Sequence, residues 1–471
     1  MKDYQLAWKN LWRNKRRTLI TAASVFFAVF FALVMRSFQL GAYDRMFKNV
    51  IESYSGYLQL QGEDYFDDPT LDNGFVLNND LVSKLETDPN VNAVVPRLES
   101  FAMAAAGSRT QGVMVMGIDP VEEEKVSDIR GRLVSFSLTP NAIMALKADS
   151  LPRKTKNLLD VFENESYAGT SLLMLDLDIS TEDSAAVLPV LRRHASFSNN
   201  YLKAEDTDGV LIGSGLSRYL RIAVGDTLVL LGQGYHGTSA AGKYAVRGII
   251  KLPTPDIDNI IVYMPIAAAG ELYAAPGLAT SAVISIKSND DKDVTATAAR
   301  LGKMVSDGLV IRPWQELNAI LVNQMDADNK SGMIMIGILY LVIAFGVFGT
   351  VLMMLAERKR EFGMLVSIGM KKRKLAWVIS LEMFMIGVLG VAAGLVAALP
   401  LIYYGNIHPI RLTGELASMY EDYGFEPVMP TLLPDTYVLW QTVVVLIILL
   451  IAIGFSIRKI FKINVINALR A

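Results

Sequence analysis

The side chains best suited to chemistry are scarce in this chain and badly placed for it. Its 471 residues include three histidines, His194, His236 and His408, far apart in sequence, and no cysteine. Thiolate nucleophiles and thiolate metal ligands are therefore excluded, and scattered imidazoles make no general-base or metal cluster. Two local patterns invite a chemical reading. Gly232-Gln233-Gly234-Tyr235-His236-Gly237 has the glycine content of a phosphate cradle, but strand-like residues surround it and no helix follows, so a hairpin turn is expected. Glu122-Glu123-Glu124 could offer carboxylates to a cation, but a solvated helix face is the expectation. No G-x-x-x-x-G-K-[ST] loop occurs, so the chain is not expected to hydrolyse ATP. No catalytic residue, metal ligand or cofactor is assigned, and the expectation is a non-enzyme.

The informative polar residues lie beside or inside apolar stretches. Glu357 to Met370 begins where one such stretch ends and is followed closely by another. Glu357 and Glu361 stand four apart, flanked by Arg358 and Arg360, while Phe362, Leu365 and Ile368 share one helical face. Gly363 and Gly369 permit a close approach or a turn. A short amphipathic helix of this kind could dock a soluble partner, or it could be a basic loop reaching for lipid phosphates. Glu382 lies within an apolar run, where an ionisable group is expensive; an interhelical bond or a basic partner is expected. Gly387, Gly390 and Gly394 contain a G-x-x-x-G pair that allows close helix packing.

Four apolar stretches position these residues: Leu19–Met35, Met333–Leu355, Leu375–Tyr403 and Tyr437–Ile457. Each has about the 20 residues needed to cross a bilayer core as a helix, the first only narrowly. With 52% hydrophobic residues and a mean hydropathy of +0.33, the composition fits four spans plus one large water-soluble domain. Charge sets the orientation. Lys2, Lys9, Arg13, Lys15, Arg16 and Arg17 precede the first stretch; Arg358, Lys359, Arg360 and Lys371 to Lys374 follow the second; Arg458, Lys459, Lys462 and Arg470 end the chain. Residues 41–332 hold 26 Lys/Arg against 38 Asp/Glu. Basic residues beside spans mark the cytoplasmic side, so both termini are expected inside and the large domain outside. No A-x-A-like site follows the first stretch, and it is expected to remain as an anchor. Tyr4, Trp8, Leu11 and Trp12 share a face that suits a helix lying in the headgroup plane, or the inner end of the first span.

The outer domain reads as α+β. Strand, helix and strand patterns at Gly56–Leu60, Leu81–Leu85 and Asn92–Arg97 recur at Ser281–Lys287, Asp293–Val305 and Leu309–Arg312, with Gln111–Ile118 a further strand. Two such units split by an insertion imply one discontinuous layer. Glycine-punctuated short strands from Val210 to Tyr263 imply a small β-barrel or sandwich within the insertion. Residues 135–201 are helix-like with no evident role.

The run ERKREFGMLVSIGMKKRKL resembles the E-R-x-x-E-x-G-x-x-x-A-x-G signature of FtsX/MacB-type ABC transporter permeases, with Ser367 where alanine is commoner. AWKNLWRNKRRTLIT, INVINALRA, VMGIDP and GVLIGSGLSRYLRIAVGDTLVLL also resemble family segments, and SYSGYLQLQGEDY is similar to the lipoprotein-releasing LolC/LolE-like branch. The resemblance implies a bacterial inner-membrane permease with two cytoplasmic ATPases, which bind ATP and magnesium, and a second permease subunit, identical or not. It implies coupling through Glu357, Arg358, Glu361, Phe362, Gly363, Leu365 and Gly369, and a periplasmic domain of porter halves with a β-rich sabre insertion. A chain beginning directly at the membrane fits LolC/LolE better than MacB, which carries its ATPase at the N-terminus. Lipoprotein cargo handed to a periplasmic carrier follows from that branch; efflux through an adaptor and outer-membrane channel, or regulation of an outer hydrolase, are the alternatives. Helical spacing puts Val25, Val29, Ala32 and Met35 on the cargo-lining face of the first span. No nucleic-acid partner is expected.

The expected layout is 1–18 cytoplasmic helix, 19–40 first span, 41–332 periplasmic domain, 333–355 second span, 356–374 coupling segment and 375–404 third span. A periplasmic loop 405–436, fourth span 437–457 and tail 458–471 complete it, with porter halves near 50–128 and 278–325 around an insertion at 129–277.

Overall fold

A computed structural model of the chain describes Tyr4, Trp8, Leu11, Trp12 and residues 15–288, 290–422 and 427–462. Lys2, Lys9, Arg13, Arg470 and the ending INVINALRA lie outside the described residues. The chain divides into two compact units, one of residues 1–44, 323–410 and 428–471, the other of 45–322 and 411–427.

The first unit is built from helices α1 (Lys15–Val50), α2 (Ala319–Glu357), α3 (Lys359–Ser367), α4 (Lys372–Ile407) and α5 (Thr436–Phe461). All but α3 are long and apolar enough to cross a membrane, where a helix satisfies every backbone polar group internally. By sequence, α1 and α2 run on past the division at 44/45 and 322/323. Within this unit α4 is central. A Cβ on Gly390 would fall 2.7 Å from Ala22 O and Val25 Cβ, one on Gly394 2.8 Å from Val29 Cβ, and one on Gly387 2.0 Å from Leu449 Cδ2. The glycines thus let α4 approach α1 on one side and α5 on another, which is how small residues act in membrane helix packing.

Of the first-span residues singled out by spacing, Val25 and Val29 pack into the core of this unit, Ala32 is buried and Met35 is exposed. The large apolar residues of α1 left exposed are Leu19, Ile20, Phe27, Phe31 and Met35. Phe27 and Phe31 lie two positions on from Val25 and Val29, so at about 100° per residue they point to the opposite side.

The second unit is α+β. Its strands are β1 (Leu58–Gly62), β2 (Val91–Ala106), β3 (Arg109–Ile118), β4 (Gly209–Gly213), β5 (Thr227–Gln233), β6 (Ser239–Ile250), β7 (Ile261–Pro265), β8 (Ser281–Ile286) and β9 (Leu309–Pro313). They form one sheet of nine strands, ordered β9-β1-β8-β2-β3-β7-β4-β6-β5. The far half of β2 pairs again with β5, from Ala102 opposite Gly232 to Ala105 opposite Val229. Strands β2, β3, β7, β4, β6 and β5 therefore close into a ring, which removes its exposed edges.

Alternation dictates the two faces of the ring. Val113, Val115, Val210, Ile212, Val262 and Met264 share one core; Met114, Met116, Leu211, Ile261 and Tyr263 share another. The open half of the sheet is covered by helices Asn79–Leu85 and Asp291–Leu301, which contribute Leu85, Val294 and Leu301 to a core with Leu58, Leu60 and Ile284. The open and ring halves of the sheet are thus joined through β2, whose 16 residues serve both.

The insertion is not β-rich throughout. Helices Pro140–Ala148, Arg153–Leu158, Thr170–Asp176 and Thr181–Ala195 gather a separate core around Leu146, Leu159, Leu173 and Leu191. The tri-glutamate stretch is also corrected. Glu123 is fully buried and pairs with Arg97 at 2.6 Å, while Glu122 and Glu124 reach Lys125 and Arg130. A short 3-10 turn at Tyr235–Gly237 joins β5 to β6, and the backbone N–H of His236 donates to Asp72.

Candidate functional site

The candidate site lies in the connector after α2. Helix α3 starts because Arg358 leaves helical geometry, with φ −95° and ψ 6°, and restarts the chain in a new direction. It ends because Gly369 takes φ +107°, which an L side chain rarely adopts. The Gly369 N–H donates to Val366 O at 3.1 Å and the Met370 N–H to Leu365 O at 3.0 Å. That pair of bonds is a Schellman termination, so Ser-Ile-Gly-Met is a stop signal. Helix α3 is thereby held to nine residues, with α4 beginning at Lys372.

One face of α3 is anchored. Phe362 and Gly363 are buried, Phe362 among the spanning helices. The rest of its apolar surface is bare: Leu365 and Ile368, expected to share the Phe362 face, are exposed along with Met364, Ile368 to 78%.

Arg358 fixes the anchored side. Its Nη1 donates to both oxygens of Glu382, at 3.0 and 2.9 Å, and its Nε donates to Glu361 Oε2 at 3.0 Å. Its guanidinium carbon also lies 5.2 Å from the centre of the Phe362 ring, within cation–π range. Arg358 and Glu382 are both buried, while the Glu361 side chain is 50% exposed. Burial opposes the Arg358 charge, but Glu382 and Glu361 outweigh it, and the guanidinium is held more firmly protonated than an ordinary arginine. A buried arginine with two carboxylates ties the start of α3 to the interior of α4 and leaves one carboxylate at the surface.

The structure brings together Arg358, Glu361, Phe362 and Glu382 of the residues singled out by sequence. Leu365 lies on the bare face and Gly369 forms the stop. Gly390 and Gly394 belong to the α1–α4 contact, and Glu357 is the last residue of α2.

Sequence reasoning missed a second polar contact in the helical unit. Arg36 Nη1 donates to Asn329 Oδ1 at 2.7 Å and to Gln39 Oε1 at 2.8 Å, joining α1 to α2. An arginine placed just after an apolar run was the available signal. Among the described residues, no group of three or more His, Cys, Asp or Glu could hold a metal ion.

Residues 333–465 match the family model described as FtsX-like permease C-terminal. No curated protein matches the chain. Among solved structures, the periplasmic region of MacB from Actinobacillus actinomycetemcomitans is similar at 9% identity and a TM-score of 0.31, over 59% of this chain and 98% of that one. The extracellular domain of the noncanonic ABC-type transporter YknZ from Gram-positive bacteria is similar at 10% identity and a TM-score of 0.27, over 55% of this chain and all of that one. Both likenesses are distant.

Proposed function

We propose that the chain is the membrane subunit of an ATP-driven transporter in a bacterial inner membrane, with both termini cytoplasmic and the nine-stranded domain in the periplasm. The permease-family match across residues 333–465 supports the class, and that span includes the whole connector. In this reading a separate pair of ATPases, which bind ATP and magnesium, seat the bare face of α3, and a second permease subunit completes the membrane assembly.

The observation that carries it is the Arg358–Glu382 contact. Motion imposed on a short helix at the membrane surface does work elsewhere only if the helix is fixed to something rigid. A buried charge pair between the start of α3 and α4 provides that fixture, because moving one partner alone strands a charge in an apolar setting. From α4 the displacement passes to α1 through the Gly390 and Gly394 contact. The chain thus transmits force and performs no chemistry of its own.

For cargo we propose an acylated lipoprotein drawn from the outer leaflet and passed to a periplasmic carrier. The exposed Phe27, Phe31 and Met35 of α1 support an apolar guest at that face. The test uses the full chain with its co-purifying ATPase. Glu361→Lys, at a half-exposed position, should abolish both co-purification and stimulation of ATP hydrolysis. Retention of both would reject docking through α3.

A further inference from the structure

Helices α4 and α5 leave a groove of about 860 Å³ between them at the end nearest the connector. Its walls are apolar, with Trp377 and Phe384 on α4 and Leu450 and Ile457 on α5. Its mouth is basic: Lys371, Arg373 and Lys374 all belong to the lining. No acidic residue lines it among the described residues. The indole of Trp377 is 61% exposed, at the depth in sequence where the basic run gives way to the apolar one.

Apolar walls with a cationic mouth, at the terminus of membrane-crossing helices, match one chemistry closely. A free anion would gain nothing from Phe384 and Leu450, and a neutral lipid would gain little from three cations. A molecule with both an anionic headgroup and an acyl chain uses every wall of the groove. Basic pockets between spanning helices hold anionic lipid headgroups for this reason, and aromatic residues such as Trp377 settle at the headgroup level.

We infer that this groove binds an anionic phospholipid of the leaflet beside the connector, its phosphate at Lys371, Arg373 and Lys374 and its acyl chain between α4 and α5. The inference needs only that the helices cross a bilayer, and it stands whether or not the transport reading does. A seated lipid would stiffen α4 one turn from Glu382, the residue that holds Arg358.

The test is lipid retention by the full chain, solubilised from vesicles of equal phosphatidylglycerol and phosphatidylcholine and read by native mass spectrometry. The unaltered chain should retain phosphatidylglycerol in preference. One basic residue near an anionic lipid is worth about fivefold in binding, so Lys371→Gln with Arg373→Gln should lower the preference by roughly 25-fold. Ser380→Phe fills the groove and keeps every charge, and it should also lose the lipid. Arg458→Gln with Lys459→Gln removes the same charge outside the groove and should retain it. Glycerol phosphate, a headgroup without a chain, should not displace the bound lipid.

Equal retention of both lipids by the unaltered chain overturns the inference. So does a preference that survives both groove variants, an equal loss in the Arg458/Lys459 pair, or displacement by glycerol phosphate.

Discussion

Two buried arginines do different work in the two units. Arg97, in the sheet, is gripped on every side: Nη2 and Nε both reach Glu123, at 2.6 and 3.3 Å, and Nη1 donates to Tyr54 O. Both members of the pair are nearly inaccessible, and Ser127 Oγ donates to Glu123 as well. Arg358 is held by two carboxylates of unequal burial. Glu382 holds it from within, while Glu361 shares it from a half-exposed position on α3. The first arrangement is a closed clamp and the second is a pivot with one arm outside. A fully satisfied buried pair resists change, whereas a shared one offers a partner a charge to engage.

The largest effect should come from opening the clamp. Arg97→Ala strands Glu123 in the core and should cost about 3–5 kcal/mol, read as denaturant unfolding of the full chain, with ATPase binding intact in the fraction that remains folded. A change below about 1 kcal/mol would erase the distinction between clamp and pivot. Overpacking the α1–α4 contact should cost less. Gly390→Val places methyl groups against Ala22 O and Val25, for about 1–3 kcal/mol, and should also reduce ATPase stimulation if displacement passes through that contact.

The smallest effect concerns pH in the sheet unit. Burial pushes the Glu99 carboxyl above the ordinary carboxylate range, and Arg97 with hydrogen bonds from Ser281 and Tyr54 offsets this only in part. The folded state therefore holds that proton more tightly than the unfolded chain. Its contribution is full below the ordinary range and is lost as pH rises through the raised value. Glu99→Gln should flatten stability as pH rises above the ordinary glutamate range. An unchanged slope would remove Glu99 as its source.

Much of the sheet unit was legible because each strand alternates apolar residues for itself, as Val113 and Val115 do against Met114 and Met116. Closure of the ring was not legible. It depends on Ala102–Ala105 meeting Val229–Gly232, a pairing across more than a hundred residues that no local pattern encodes. Glu123 was misread because its partner Arg97 lies on β2, 26 residues away and out of view of the Glu-Glu-Glu run. In the helical unit, Gly390 and Gly394 advertised a close approach but not to which helix. Because α1 is apolar all round, its periodicity does not say which side is packed. The connector was the most readable part: charge spacing, an apolar face and a glycine stop all fall within fourteen residues, 357–370.

Arg358 and Glu382 should act as one unit in passing motion from the connector to the spans. A double-mutant cycle on the co-purified complex tests it, with ATP hydrolysis stimulated by the chain as the readout. Arg358→Gln and Glu382→Gln should each lower stimulation by about tenfold, on the order of 1.4 kcal/mol, while the ATPase stays bound, and the double variant should be no worse than either alone. Single variants close to the unaltered chain, or losses that simply add, would contradict it.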